Sequence, residues 1–418
     1  MSKEADRHLL VGLEIGSSKV VVLVGELLAG GVVNLIGVGH GASQGMDRGG
    51  VNDLESVVKS IRQAVDQAEL MADCHIESVC LALSGKHIRC QNELGMVAIA
   101  DDEVTREDVD SVIHTAKSVR IREEHQILHV VPQSFSIDYQ EGIKSPIGLS
   151  GVRMQAHVHL ITCHHDTAKN SIKAVERCGL AVEQLVFSGL AASEAVLTED
   201  ERELGVAVVD IGGGTMDIAV YMGGALCHSQ VIPYAGNVVT RDIAYAFGTP
   251  LSEAEAIKVR YGCALSALVH QEERIEVPSV GGRSPRQLQR QTLASVIEPR
   301  YQELLQLVNQ ALQQLQARLR QQGRKHQLAA GIVLTGGASQ IEGLVACAQQ
   351  NLNLQVRLGQ PLGVTGLTDY IQTPDYATAV GLLQHSKAAL LDGETAHRRQ
   401  HFINHWLKRL SGWLKREF

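Results

Sequence analysis

Apolar runs broken by glycine turns recur along this chain. Residues 9–25 alternate strand-like apolar positions around the turn EIGSSK at 14–19, and residues 208–220 (VVDIGGGTMDIAV) repeat the arrangement. Two β-rich runs joined by a glycine-containing connection of this length predict a β-hairpin. In the second, Gly212, Gly213 and Gly214 are expected to supply positive φ and bare backbone, so that N–H groups can approach a polyphosphate. Residues 331–339 (GIVLTGGAS) read as a buried strand running into a third glycine turn, followed by a helix over 341–351.

Between these hairpins the periodicity changes to helical. Leu54, Val57, Val58, Ile61, Val65 and Leu70 predict a helix over 52–71, with Asn52 and Glu55 as a variant capping box. A strand at 79–83 follows. Residues 84–159 then read as an inserted α+β subdomain, with an acidic turn at 101–103, a helix over 106–119, and strands at 127–131, 135–139 and 152–161 punctuated by glycine and proline. A helix over 167–178 ends at Gly179, and the loop PYAGN precedes two helical stretches within 233–262. A basic glycine- and proline-containing loop is predicted at 278–290. Tyr301, Leu304, Leu305, Val308, Leu312, Leu315 and Leu319 stripe a long helix over 297–321, with Pro299 near its first turn and Gly323 past its end. So few repeats point to core packing and not to a coiled coil.

The final segments differ in kind. Residues 385–401 are polar and aperiodic, and read as a linker. Over 402–418, Phe402, Trp406, Leu407, Leu410, Trp413 and Leu414 share one helical face flanked by Lys and Arg, the signature of a helix lying in a membrane interface. A terminal helix docked on its own core and a calmodulin-type target are the alternatives. Net charge is −8, yet the last 21 residues carry six Lys/Arg against one Glu, so the body is more acidic than the total implies. Such a body is a poor nucleic-acid binder, while the basic end suits one localised anionic partner.

At 418 residues the chain exceeds the size of a single growing core, so at least two domains are expected. The N-terminus lacks a secretory pattern and no apolar run reaches 18 residues, which predicts a cytoplasmic protein without a spanning helix. Eight scattered cysteines without a C-x-x-C pair argue for reduced thiols. His164 and His165 follow Cys163, but neighbours in a strand face opposite sides, so no metal site is read there.

EIGSSK, LVFSGLAASEAVL at 185–197, DIGGGTMD at 210–217, LTGGAS at 334–339 and YATAVGLL at 376–383 occur in a set order that resembles the actin, sugar kinase and Hsp70 ATPase superfamily. With the insertion at 84–162 and the basic amphipathic end, the chain resembles the bacterial cell-division family FtsA over essentially its whole length. The resemblance implies an α/β, actin-like duplicated ATPase fold, two halves around a nucleotide cleft, with an inserted α+β subdomain and a C-terminal amphipathic helix. Its divisions would be 1–83 with 163–198, 84–162, 199–227 with 300–384, 228–299, a linker at 385–401 and the helix at 402–418. The 185–197 and 376–383 segments would be helices that hinge the halves.

For the site, the resemblance implies ATP and Mg²⁺. Gly16, Ser17, Ser18 and Lys19 would hold β- and γ-phosphates from one side, and Gly212, Gly213, Gly214, Thr215 and Asp217 from the other. Asp210 would hold Mg²⁺ through water, and Glu14 and Asp210 are the catalytic candidates. Gly236 and Asn237 would lie at the cleft lip, Gly336, Gly337 and Ala338 at the adenosine, and Glu255 and Lys258 at the ribose and adenine unless they form a solvated i,i+3 pair. The superfamily usually places Asp where this chain has Glu14. The longer side chain leaves binding intact and makes efficient hydrolysis less assured, since in-line attack tolerates little misplacement. ATP is therefore expected to act mainly as an assembly switch, with weak ATPase at most.

The implied partners are the FtsZ C-terminal tail, further copies of the chain, other division proteins through 84–162, and anionic inner-membrane lipid, at the cytoplasmic face of the septum. Arg283, Arg286, Arg290 and Arg300 are the candidate FtsZ contacts, with a solvated basic loop as the alternative. A sugar kinase would need a base in a second cleft, and none is identifiable in the inserts. An Hsp70-like chaperone would need a substrate domain after Leu383, and a pilus-assembly relative is disfavoured by the membrane-type tail.

Overall fold

Strands Leu9–Ile15 and Lys19–Leu27 pair antiparallel with Ile15 opposite Val20, so the turn at 16–18 closes the first predicted hairpin. Strand Val33–Ala42 adds to it and explains the glycine alternation in IGVGHGA. A Cβ on Gly37 would meet the Ala68 carbonyl oxygen at 2.8 Å, and one on Gly39 that of Ala64 at 1.8 Å. Residues two apart in a strand share a face, so this bare stripe lets helix Leu54–Ala72 lie directly on the sheet. Asp53 caps that helix, accepting from the Glu55 and Ser56 N–H groups, one residue later than the Asn52 box predicted.

The computed structural model describes residues 8–321 and 328–391. The predicted tail helix at 402–418 lies outside them. A six-stranded sheet runs Ala181–Phe187, Ser78–Leu83, Leu9–Ile15, Lys19–Leu27, Val33–Ala42, Val364–Gly366. A second sheet runs Ala225–Ile232, Met216–Met222, Val206–Ile211, Ile332–Thr335, Val356–Leu358. In its central hairpin Asp210 lies opposite Asp217, and every residue of both strands is buried. One core packs the first sheet and reaches one face of the second, whose other face has a core of its own, and the two halves repeat a strand–turn–strand opening.

The insertion leaves the first half after Ser78–Leu83 and returns at helix His165–Glu176. Its four strands are ordered Ile88–Ala98, Arg153–His164, His125–Ile137, Gln140–Ile143, and helix Arg106–Lys117 closes a core containing Val112, Met154, Val158 and Leu160. The two strands predicted at 127–131 and 135–139 are one continuous strand with an irregularity at Gln133. Strand Ile88–Ala98 escaped prediction because the polar run Gln91–Glu93 hides its alternation. That polar run has a use. Buried His159 bonds Asn92 Oδ1 at 2.6 Å through Nδ1 and Ser229 Oγ at 2.7 Å through Nε2, and Gln133 Nε2 donates to the Leu226 carbonyl at 3.0 Å. The insertion is thereby stitched to edge strand Ala225–Ile232 of the second half.

Other boundaries also shift. Residues 185–197 are not one helix: strand Ala181–Phe187 extends the first sheet and helix Ser188–Val196 follows. The helix over 377–391 runs into the predicted linker. These two helices cross between the sheets so closely that a Cβ on Gly381 would meet the Ala191 carbonyl oxygen at 1.8 Å. The long helix is Arg290–Gln321, starting before the predicted 297 because buried Leu293, Ala294 and Ile297 continue its apolar stripe. Pro299 is therefore inside it, and removes the bond to the Ser295 carbonyl. Helix Leu344–Leu352 begins after Gly343, whose φ of 79° interrupts the predicted start at 341. Helices Gly236–Phe247 and Leu251–Tyr261, with the hairpin of Arg274–Val277 and Arg286–Gln289, form the smaller lobe of the second half. Among the described residues no helix is long and apolar enough to cross a membrane.

Candidate functional site

The two hairpin turns face each other across a cleft of about 530 Å³ between the halves. In each, the glycine that opens the turn donates its N–H back across it, Gly16 to the Lys19 carbonyl at 2.9 Å and Gly212 to the Thr215 carbonyl at 3.0 Å. A Cβ on Gly213 would meet Ser18 Oγ at 2.0 Å, and one on Gly214 would meet Ser17 Oγ at 2.4 Å. Glycine is thus required by close approach between the halves. The predicted positive φ is not found: none of Gly16, Gly212, Gly213 or Gly214 adopts it. Gly336 does, at 85°, and a Cβ there would strike Asp210 Oδ1 at 2.2 Å.

Loop PYAGN is tied to the second turn, with Gly236 N–H donating to the Gly212 carbonyl at 3.1 Å and Asn237 N–H to the Gly213 carbonyl at 2.8 Å. Lys258 and Glu255 are not a solvated pair. The lysine side chain is 8% exposed, and its Nζ donates to Glu255 at 2.7 Å, to Thr240 Oγ1 at 2.9 Å and to the Gly236 carbonyl at 3.2 Å. Burial, only partly offset by Glu255, pulls its pKa down. Gly336, Gly337 and Ala338 line the same cleft.

Three carboxylates converge on the floor. Burial pushes Glu14 up to about 8, with Asp210 and Asp375 adding to the effect and Lys19 opposing it. Its Oε2 is buried without a partner. Burial likewise raises Asp210 to about 6, although Thr378 Oγ1 donates to its Oδ2 at 2.9 Å. Asp217, raised further by burial and by Asp210, accepts from Ser84 Oγ at 2.6 Å. Such a set calls for cationic compensation. Among the described residues no three acidic, histidine or cysteine side chains are close enough to hold an ion between them.

Several site residues were not anticipated. Asp375 pairs with Lys19, whose ammonium also stands 4.1 Å from the Tyr376 ring centre. Thr378 holds Asp210, Ser84 holds Asp217, and Tyr301, predicted only as core, donates to the Ala338 carbonyl at 2.8 Å. These partners are far apart in sequence, and no local spacing signals them. The four lobe arginines do not form one free cationic face. Arg290 is spent on Glu273, Glu342 and the Tyr261 carbonyl, and Arg300 on Asp242 and Glu303. Arg286 bonds the Phe247 carbonyl, while Arg283 is exposed at the tip.

A family model described as cell division protein FtsA matches residues 207–381, and one described as the SHS2 domain inserted in FtsA matches 85–162. Cell division protein FtsA of Escherichia coli strain K12 is 69% identical over 420 residues, covering all of both chains. That of Pseudomonas aeruginosa is 49% identical over 393 residues, 94% of this chain and 93% of the relative. Among solved structures, a PilM–PilN type IV pilus biogenesis complex aligns with a TM-score of 0.63 at 18% identity, over 90% of this chain and 98% of that one. MreB5 of Spiroplasma citri, bound to ADP, aligns at 0.53 and 13% identity, over 92% and 98%. These distant structures establish the fold, which is actin-like, and the full-length identities establish the rest: the chain belongs to the FtsA family of actin-like cell division proteins.

Proposed function

We propose that the cleft binds ATP with Mg²⁺, and that the bound nucleotide switches the chain into polymers that anchor FtsZ filaments to the inner membrane at the septum. The observation that carries this is the contact of bare backbone at Gly213 and Gly214 with Ser18 and Ser17, which brings the N–H groups of both turns and two hydroxyls to one point between the halves. A phosphate chain there would bridge the halves, so occupancy would be felt by the whole molecule. Mg²⁺ would neutralise phosphate charge, held through water by Asp210 beside the unpartnered Glu14 oxygen. Burial keeps Glu14 mostly protonated near neutral pH, so little of it is ready to accept a proton, in keeping with a switch and at most a weak ATPase.

Membrane attachment would come from the aromatic and leucine face at 402–418 and its basic flanks. One such helix binds lipid reversibly, and a polymer carrying many binds firmly by avidity. The acidic FtsZ C-terminal tail would meet the small lobe at Arg283 and Arg286, and other division proteins the 84–162 insertion. Electron microscopy on anionic lipid monolayers tests the reading. Filaments are expected with ATP and Mg²⁺, and are expected to vanish without nucleotide or in Trp406→Glu/Trp413→Glu. Filaments indifferent to both would refute it.

A further inference from the structure

Residues 374–378, PDYAT, touch all three glycine turns. Asp375 pairs with Lys19 beside the first, and Tyr376 lies beneath the same ammonium. Thr378 donates to Asp210 at the second. At the third, the Pro374 carbonyl accepts from Gly336 N–H at 3.2 Å and from Thr335 Oγ1 at 3.1 Å, and Asp375 accepts from Gln340 Nε2 at 3.1 Å. The helix over 377–391 starts in this segment and packs on the first half, where a Cβ on Gly12 would meet the Ala379 carbonyl oxygen at 2.9 Å.

Lys19 is the cation beside the first turn, and its charge is already matched by Asp375. Its side chain is 30% exposed and that of Asp375 21%, so the pair is shielded but reachable from the cleft. An anion entering beside Ser17 and Ser18 meets a lysine held by a carboxylate, and a terminal phosphate with two negative charges is a stronger competitor for it than one phosphate group further away. We infer that Asp375 is a positioning residue for Lys19 that yields the lysine to the terminal phosphate of a nucleoside triphosphate, making 374–378 the segment that reads the difference between triphosphate and diphosphate. This rests on the nucleotide reading of the cleft. Once released, Asp375 keeps its bonds to Gln340 and Thr373, while Pro374 and Thr378 retain theirs. The change is therefore delivered to the first turn of the helix that crosses between the halves.

The test is binding of fluorescent ATP and ADP analogues with Mg²⁺ to the full chain, read by anisotropy. Asp375→Asn preserves the Gln340 contact and removes the competing charge, so it is expected to tighten ATP by about tenfold and ADP by less than about threefold. In a Lys19→Met background the same substitution is expected to change neither. An Asp375→Asn protein whose ATP affinity is unchanged or weaker, or whose gain persists without Lys19, overturns the inference while leaving the nucleotide reading standing. Wild-type protein that binds neither analogue overturns both. Hydrogen exchange on the wild type gives a readout independent of variant folding: exchange over 374–378 is expected to rise with ATP and not with ADP, and equal exchange also overturns it.

Discussion

Glu14 is the next-to-last residue of strand Leu9–Ile15, before the glycine loop, and its environment makes it unlike an ordinary carboxylate. Its folded pKa of about 8 lies above the ordinary value of 4.5, so the folded protein keeps a proton that the unfolded chain releases. The native state then binds more protons than the unfolded one between these values. The stabilising effect is complete below about pH 4.5 and is lost as pH rises through 8. Glu14→Gln holds the group neutral and is expected to be more stable than wild type at pH 8 by on the order of 4 kcal/mol, with no difference near pH 4.5. Urea denaturation at the two pH values reads this; parallel behaviour of the two proteins would rule it out.

At the scale of elements, the small lobe shows how context redirects a charge pattern. The basic loop ends in a hairpin strand, and Arg290, which opens the long helix after it, is internal, while Arg300 sits on the same helix facing Asp242. Only the part around Arg283 and Arg286 faces outward, and Arg286 already serves the Phe247 carbonyl. Charge reversal of Arg283 and Arg286 is expected to weaken binding of a labelled FtsZ C-terminal peptide by about tenfold in anisotropy, as for loss of one or two charge-assisted contacts. Reversal at Arg290 or Arg300 would instead break internal pairs and lower stability. Unchanged peptide binding in the first double variant would place the contact elsewhere.

Across the whole molecule, the insertion is held to the second half by the His159 seam. Burial lowers His159 to about 3, with His228 contributing, so the ring is neutral in the folded protein. The unfolded chain takes up a proton below its ordinary value of 6.5, so the seam's contribution is complete above that pH and is lost as pH falls toward 3. His159→Phe keeps the ring volume and removes both bonds. It is expected to cost about 2 kcal/mol at pH 7.5 and to flatten the acid limb of the stability curve. Calorimetry from pH 4 to 8 reads both, and an acid limb as steep as wild type would exclude His159 as its source.

Much of this was legible in one dimension. Strand periodicity located both hairpins, helical periodicity found the long helices, and the ordered glycine turns pointed to the family, because each is a local pattern imposed by backbone geometry and burial of one face. The start of the linker at 385 and the single helix at 185–197 failed where tertiary burial decided the element: helix 377–391 continues over the first half through 385–391, and residues 181–187 are captured by the sheet edge. The glycines were correctly singled out for the wrong reason, since the facing serines exist only once the halves meet. By itself the sequence determined which residues line the turns and that the chain has two like halves with an insertion. Only the tertiary structure decided which charges are free, that Lys258 is buried, Arg290 spent and Lys19 held by Asp375, because burial and pairing are set by how the elements pack and not by local spacing.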